Sequence, residues 1–216
     1  MTPNKEDYLK CIYEIGTEMQ KITNKEIAAR MQVSPPAVTE MIKRMKSENL
    51  ILKDKENGYL LTDIGLKLVS ELYRKHRLIE VFLVHHLDYT SDQIHEEAEV
   101  LEHTVSDLFV ERLDKLLRFP KTCPHGGTIP AKGELLVEIN NLPLAETKEA
   151  GTYLLTRVHD SFDILNYLDR HALHIGDQLQ VKQFDGFSNS FTILSKDKDL
   201  QVNMDIAKQL YVEKID

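Results

Sequence analysis

The stretch Thr23-Asn-Lys-Glu26-Ile27-Ala28-Ala-Arg30-Met31-Gln-Val-Ser34-Pro35-Pro36-Ala-Val38-Thr39-Glu40-Met41-Ile42-Lys43-Arg44-Met45 holds two helix starts in close succession. Thr23 can cap the first, and Glu26 three residues on completes a capping box ahead of Ile27, Ala28 and Met31. Ser34 can cap the second. Pro35 and Pro36 suit a first turn, where the backbone N–H has no intrahelical partner, and Val38, Met41, Ile42 and Met45 recur at helical spacing. The pair reads as a helix-turn-helix. Upstream, Lys5 to Met19 carries Tyr8, Cys11, Ile12 and Ile15 on one helical face. Downstream, Leu50 to Thr62 sets Asn57-Gly58 between two apolar runs, a strong hairpin signal. A hairpin directly after the third helix is a wing.

Leu68, Leu72, Ile79, Leu83 and Leu87 predict a long helix from Asp63 to about His86, and Ala98, Leu101, Val105, Leu108 and Phe109 a second from Thr90 to Arg118. Both are apolar on more than one face, as in helices that pack against a symmetry mate, so a homodimer is expected. The Pro- and Gly-rich stretch Phe119 to Pro130 reads as a structured loop or linker. Beyond it, Gly151 to Val158, Gln178 to Phe184, Ser190 to Leu194 and Gln201 to Met204 read as short strands, with a helix around Phe162 to Arg170. The expected chain is mainly α with a β-rich C-terminal domain: a winged helix-turn-helix over 1–64, metal-binding and dimerisation helices with a Pro-rich linker over 65–140, and a small β-barrel over 141–216.

The net charge of −8 argues against nucleic acid only until its distribution is considered. Residues 1–75 hold 13 Lys or Arg against 11 Asp or Glu, and the remainder 14 against 24, so the basic excess coincides with the winged helix. With no leader-like apolar segment and no run approaching a membrane span, the expectation is a cytoplasmic protein without a membrane partner. Cys11 and Cys123 imply no disulfide framework.

In His95-Glu-Glu-Ala-Glu99-Val-Leu-Glu102-His103, four metal-ligand types stand at offsets 0, 4, 7 and 8, which one helix gathers within roughly a 100° arc. Acidic helix stripes are usually solvated faces. Here His76 and Glu80, one turn apart on the preceding helix, offer a second pair, and Asp7 lies near the start of the first helix. Oxygen-rich sets with one imidazole suit a hard cation such as Mn²⁺. Cys123-Pro-His125 could chelate, and Asp160 and Asp163 offer further carboxylates, although a plain loop Cys and solvated Asp remain open readings.

Laid in a major groove, the third helix would present Ser34, Pro36, Thr39 and Glu40 to base edges, with Lys25, Arg30, Lys43, Arg44, Lys46, Lys53 and Lys55 available for phosphates. Winged helices also serve as protein-interaction modules, and the basic excess favours DNA.

Glu6-Asp7-Tyr8-Leu9, Ser34-Pro-Pro-Ala-Val-Thr39, Leu60-Leu-Thr62, Arg74-Lys-His76-Arg-Leu-Ile-Glu80 and the His95–His103 run together resemble the iron- and manganese-responsive repressors of the diphtheria toxin repressor family. The likeness is to the manganese-responsive, streptococcal-type members with a C-terminal β-barrel. It implies a primary site of Asp7, Glu99, Glu102 and His103. Iron-responsive members carry Met and Cys where this chain has Asp7 and Glu99. A second site is implied at His76, Glu80 and His95, completed from the barrel domain by Asp160 and Asp163, with Cys123 and His125 as further members; Arg77 and Cys123 also fall where some relatives hold an anion. Lys10 stands where short, barrel-less manganese regulators carry a Glu that helps bind an adjacent ion, so no close-spaced ion pair is implied. Glu40 replaces a Gln near the DNA, and Glu accepts from cytosine N4 where Gln prefers adenine.

The expected function is a manganese-dependent repressor that binds palindromic, inverted-repeat operators in double-stranded DNA, ahead of metal-uptake genes, as a homodimer without an organic substrate. Zn²⁺, Cd²⁺ or Fe²⁺ could also occupy the sites in vitro. An iron- or zinc-responsive member of the same family is the near alternative. A metal-dependent hydrolase is the distant one, because Glu99-x-x-Glu102-His103 departs from His-x-x-Glu-His only at its first residue, and an organic-ligand-responsive winged helix is a third.

Overall fold

A computed structural model describes residues 5–18, 21–90, 93–147 and 149–215. The chain forms two compact units, Met1–Lys75 with Pro130–Leu136, and His76–Ile129 with Val137–Asp216.

In the first unit, α1 (Lys5–Thr17) precedes α2 (Asn24–Met31) and α3 (Pro35–Ser47), then the hairpin β1 (Ile51–Asp54) and β2 (Gly58–Leu61) and the start of α4 (Asp63–Leu87). Met19, expected in the first helix, lies outside the described residues. Both predicted caps form: Thr23 Oγ1 accepts from the Glu26 N–H at 3.2 Å and Ser34 Oγ from the Ala37 N–H at 3.4 Å. The three helices and the hairpin close over Ile12, Ile15, Ile27, Val38, Ile42, Met45, Leu50 and Ile51, all buried. Each removes an apolar side chain from water, worth about 1.5–3 kcal/mol apiece.

The wing differs from the two-residue turn that Asn57-Gly58 predicts. Asp54 pairs with Gly58, so the loop is Lys55-Glu56-Asn57. The Asp54 carboxylate accepts from the N–H groups of Glu56 and Asn57 at 2.9 and 2.7 Å. Gly58 closes the loop at φ +84°, and a Cβ there would lie 2.0 Å from the Ile22 carbonyl. That closeness arises because Ile22 pairs with the hairpin, its N–H donating to Asn57 at 2.9 Å and its carbonyl accepting from Tyr59 at 3.1 Å. The wing is thereby fixed to the residue that leads into α2. Residues 130–136 complete the unit: buried Arg74 donates to the Pro130 carbonyl at 3.0 Å, and Ser70 Oγ accepts from the Leu136 N–H at 2.8 Å.

In the second unit the predicted helix from Thr90 to Arg118 is two, α5 (Ile94–Leu101) and α6 (Asp107–Leu116); Ser91 and Asp92 lie outside the described residues. Ser106 ends the run, its Oγ accepting from the Phe109 N–H at 3.2 Å as the N-cap of α6. The apolar spacing of Val105, Leu108 and Phe109 hid this cap. Glu102 and His103 therefore follow the last residue of α5. Glu102 keeps helical backbone angles (φ −55°, ψ −31°) and donates its N–H to Ala98, so the ligand stripe continues to Glu102 and a turn places His103.

The C-terminal region is one antiparallel sheet in the order β6-β5-β4-β3-β7. Its strands are β3 (Gly151–Val158), β4 (Gln178–Asp185), β5 (Ser190–Ser195), β6 (Lys198–Asn203) and β7 (Leu210–Lys214), with α7 (Phe162–Arg170) after β3 and α8 (Met204–Ala207) after β6. The strand expected over Gln201–Met204 begins earlier and stops at Asn203, whose side chain caps α8, so Met204 is helical. Strand β7 is not among those that the sequence pattern predicts. Leu155, Leu179, Ile193, Val202 and Leu210 are fully buried at its core. Among the described residues, no helix is long and apolar enough to cross a membrane.

Candidate metal centres and nucleic-acid face

Four stretches of the second unit converge on one buried polar cluster. Helix α4 supplies His76 and Glu80 on adjacent turns, α5 supplies His95, the 121–129 turn supplies Cys123 and His125, and Asp160 stands between β3 and α7. The ligand atoms of His76, Glu80, His95 and Asp160 lie within 4.8 Å of one another, as do those of Glu80, Cys123 and His125. His125 Nδ1 is 3.1 Å from both Glu80 Oε1 and Asp160 Oδ1, and His76 Nε2 is 3.2 Å from Glu80 Oε1. His95 Nδ1 approaches Asp160 Oδ1 to 2.9 Å, but the two are not aligned as a hydrogen bond, and among the described residues buried Glu80 Oε2 has no hydrogen-bond partner. Lone pairs that meet without hydrogen-bond alignment, at a buried site rich in imidazole and carboxylate, suit a shared cation.

Electrostatics agree. Burial pushes the Asp160 carboxyl up, but His125, His76 and His95 outweigh burial and hold it well below the usual carboxylate range. For His125 burial opposes the charged form, whereas Asp160 and Glu80 favour it and raise its pKa to about 11. Burial and the negative charge of Glu80 push the Cys123 thiol up, with Arg77 acting against them. A proton on the His125 imidazole thus helps to balance the buried carboxylates, and a divalent cation can take over that role by displacing it.

A second convergence surrounds Glu102, whose side chain is fully buried. Its Oε2 is 2.6 Å from His76 Nδ1 and its Oε1 3.4 Å from His103 Nε2. The ligand atoms of His76, Glu99 and Glu102 lie within 4.8 Å of one another. His76 therefore serves both clusters, one ring nitrogen on each, a role that sequence spacing did not reveal. Asp7 stands in the first turn of α1, in the other unit. Lys10 is buried there with its amine 5.5 Å from the centre of the Tyr73 ring. Asp163, expected beside Asp160, is instead exposed in the first turn of α7, where an acidic residue favours the helix N-terminus. Two residues lie between the two aspartates, but only Asp160 precedes the helix and reaches the cluster.

In the first unit Ser34, Pro36, Thr39, Glu40, Lys43 and Arg44 are exposed along α3. Lys25, Lys46, Lys53 and Lys55 are exposed around it. Thr39 Oγ1 donates to the Pro35 carbonyl and accepts from Asn24 Nδ2, both at 3.0 Å, which fixes its rotamer. Arg30 is held by Glu18 at 2.7 and 2.8 Å, and Arg44 pairs with Glu48 at 3.1 Å. Lys21, not singled out in the sequence, joins Lys53 and Lys55 in a concavity between the start of α2 and the wing. A helix with a bare polar face, flanked by lysines, is the geometry that enters a major groove.

A DNA-binding winged helix followed by a helical metal-ligating region is the architecture of a metal-responsive regulator. Three family models match along the chain: iron dependent repressor, N-terminal DNA binding domain, over residues 1–59; iron dependent repressor, metal binding and dimerisation domain, over 62–131; and the FeoA domain over 142–214. The diphtheria toxin repressor of Corynebacterium diphtheriae is 27% identical over 221 residues, spanning 97% of this chain and 96% of that protein. ScaR, solved with bound Zn²⁺, is 66% identical with a TM-score of 0.95, covering 99% of this chain and 100% of that one. The manganese regulator SloR is 58% identical with a TM-score of 0.92, covering 100% of both chains. The chain belongs to the iron-dependent repressor family, that of the diphtheria toxin repressor. These are metal-dependent, DNA-binding transcriptional repressors that dimerise, and they are not enzymes, so the hydrolase alternative falls.

Proposed function

We propose that this chain is a manganese-activated repressor which, as a homodimer, binds inverted-repeat operators of metal-uptake genes. The observation that carries the reading is the carboxylate of Glu99 grouped with Glu102, with no thiolate in that set. Hard oxygen donors suit Mn²⁺, an ion low in the divalent stability series that must be selected by ligand type and availability. Support comes also from SloR, a manganese regulator, and from ScaR, a manganese-activated repressor.

In this reading Asp7, Glu99, Glu102 and His103 form the activating site. A bound divalent cation supplies the positive charge that lets their carboxylates converge. Asp7 is the only member carried by the winged-helix unit, so its engagement relays occupancy to α3. Two recognition helices then match half-sites about 34 Å apart, and metal and DNA strengthen each other's binding reciprocally. On α3 and the wing, Ser34, Pro36, Thr39 and Glu40 read bases, and Lys25, Lys43, Lys46, Lys53 and Lys55 contact phosphates, with Arg30 and Arg44 joining them on release from their glutamates.

His76, Glu80, His95, Cys123, His125 and Asp160 form the second site; the exposed Asp163 is not among its ligands. A thiol with several imidazoles is a softer donor set, which favours Zn²⁺ or Cd²⁺ there over Mn²⁺.

Gel-shift titration of a palindromic promoter fragment with chelator, Mn²⁺, Fe²⁺ or Zn²⁺ tests this. Wild type should shift the fragment with Mn²⁺ and not with chelator, and Glu99→Ala should lose the Mn²⁺ response. Equal binding in every lane would refute metal activation.

A further inference from the structure

The turn that brings Cys123 and His125 to the second cluster is short and closed. Its ends pair through Thr122 and Thr128, and the Ile129 N–H donates to Lys121 at 2.8 Å. Within it, the Cys123 N–H donates to Gly127 and the Gly126 N–H to Cys123, both at 2.9 Å. The His125 carbonyl accepts from Val158 at 3.0 Å. Arg77, one residue after His76, lies against this turn so closely that a Cβ on Gly127 would fall 2.6 Å from its guanidinium carbon. It donates to the Thr128 carbonyl through Nη1 and to Glu138 Oε1 through Nη2 at 2.6 Å. Glu138 returns to the same turn, its Oε2 accepting from the Thr128 N–H at 2.9 Å, and the next residue, Ile139, donates to Thr128 Oγ1 at 3.1 Å.

The local pattern around Glu138 is inverted. Val137 and Ile139 are 68% and 65% exposed, while the Glu138 side chain between them is 13% exposed. A segment that turns its carboxylate inward and its apolar neighbours outward gains nothing there from burial of apolar surface. The inward carboxylate matches the guanidinium beside the metal-ligating turn. Burial disfavours its charge, and Arg77 with the Thr128 N–H more than compensates, so it stays ionised.

We propose that Glu138 is a positioning residue of the second cluster: a built-in counter-anion that locks the turn bearing Cys123 and His125 through Arg77 and Thr128, and cancels a guanidinium charge that would otherwise oppose a cation. The inference rests on the reading of that cluster as a metal site. Partners one step behind the ligands orient them, and their loss typically weakens metal binding about 10- to 100-fold.

Titration with Co²⁺ tests it, reading sulfur-to-cobalt charge transfer in the near ultraviolet for the Cys123 site and calorimetry for both equivalents. Wild type should show the sulfur band and Cys123→Ser should lose it; a wild type without the band overturns the metal reading of this cluster, and the proposal with it. Glu138→Ala should bind the sulfur-ligated equivalent about 10- to 100-fold more weakly, leave the other equivalent unchanged, and regain affinity when sulfate or acetate fills the vacated place beside Arg77. A sulfur band in wild type with unchanged affinity in Glu138→Ala overturns the proposal alone, and so does a loss that neither anion reverses. Should the alanine variant fail to fold by circular dichroism, Glu138→Gln, similar in shape but uncharged, should show the same selective loss of the sulfur-ligated equivalent without rescue by anions, and unchanged affinity in it overturns the proposal.

Discussion

The exposed face of α3 and the buried cluster around Glu80 and Asp160 use polar side chains in opposite ways. On α3 the side chains meet water, and their positions follow from one cap and one helical period. In the cluster, groups from α4, α5, a tight turn and the end of β3 face one another out of water, and each sets the charge of the next. The contrast teaches where a single substitution acts: locally on the helix, collectively in the cluster. A surface contact can be exchanged for solvent, whereas a buried imidazole that loses its carboxylate becomes an uncompensated charge.

The largest expected effect comes from titrating the cluster. The raised pKa of His125, about 11 against an ordinary 6.5, means that the folded protein holds a proton there which the unfolded chain has released above that ordinary value. This stabilisation is complete below about pH 6.5 and is lost as pH rises towards 11. Metal-free protein should lose up to about 1.4 kcal/mol of stability per pH unit between pH 7 and 10. Zn²⁺-loaded protein, its carboxylates balanced by the cation, should be nearly flat, and loading should release protons that calorimetry in buffers of different ionisation enthalpy can count. Parallel pH profiles for the two forms would break the collective picture.

On α3 the effects should be smaller and separable. Glu40→Gln should move base preference at one position per half-site from cytosine towards adenine, by about 1–3 kcal/mol, as read from binding to a panel of operator variants; an unchanged profile would remove Glu40 from the base-reading set. Ser34→Ala should cost about 1 kcal/mol of unfolding free energy through its cap, measured by urea denaturation. Lys43→Ala should leave sequence preference intact and flatten the slope of log affinity against log salt by about 0.9.

How far each region could be read from the sequence follows the same divide. Thr23, Ser34 and the period from Val38 to Met45 are local signals, and the helices start where they indicate. Ser106 was an equally local cap, but the apolar spacing ran through it, and a long α-helical period outvoted one serine. The strand at Leu210–Lys214 is short, and Leu210 and Val212 earn their burial only by pairing with β3. In the cluster, Cys123-Pro-His125 and Asp160 stand out in the sequence as donor types, but only the family resemblance groups them with His76, since nothing in a linear pattern brings residue 160 to residue 76. Asp160 and Asp163 both lie at one helix start, and only the fold sets Asp160 in the cluster and leaves Asp163 exposed. The double duty of His76 and the inward turn of Glu138 depend on which way a side chain points, which composition does not encode.

The return of residues 130–136 to the N-terminal unit has a consequence for synthesis. As the chain leaves the ribosome, the winged-helix sequence emerges first, yet the Pro130 carbonyl that receives Arg74 and the Leu136 amide that meets Ser70 follow more than fifty residues later. A nascent chain halted before Pro130 would carry a buried guanidinium without that acceptor. The DNA-binding unit is thus completed only after the metal-ligating helices α4 and α5 have been made, which sets an order of assembly in which the reader of DNA is finished after much of its sensor.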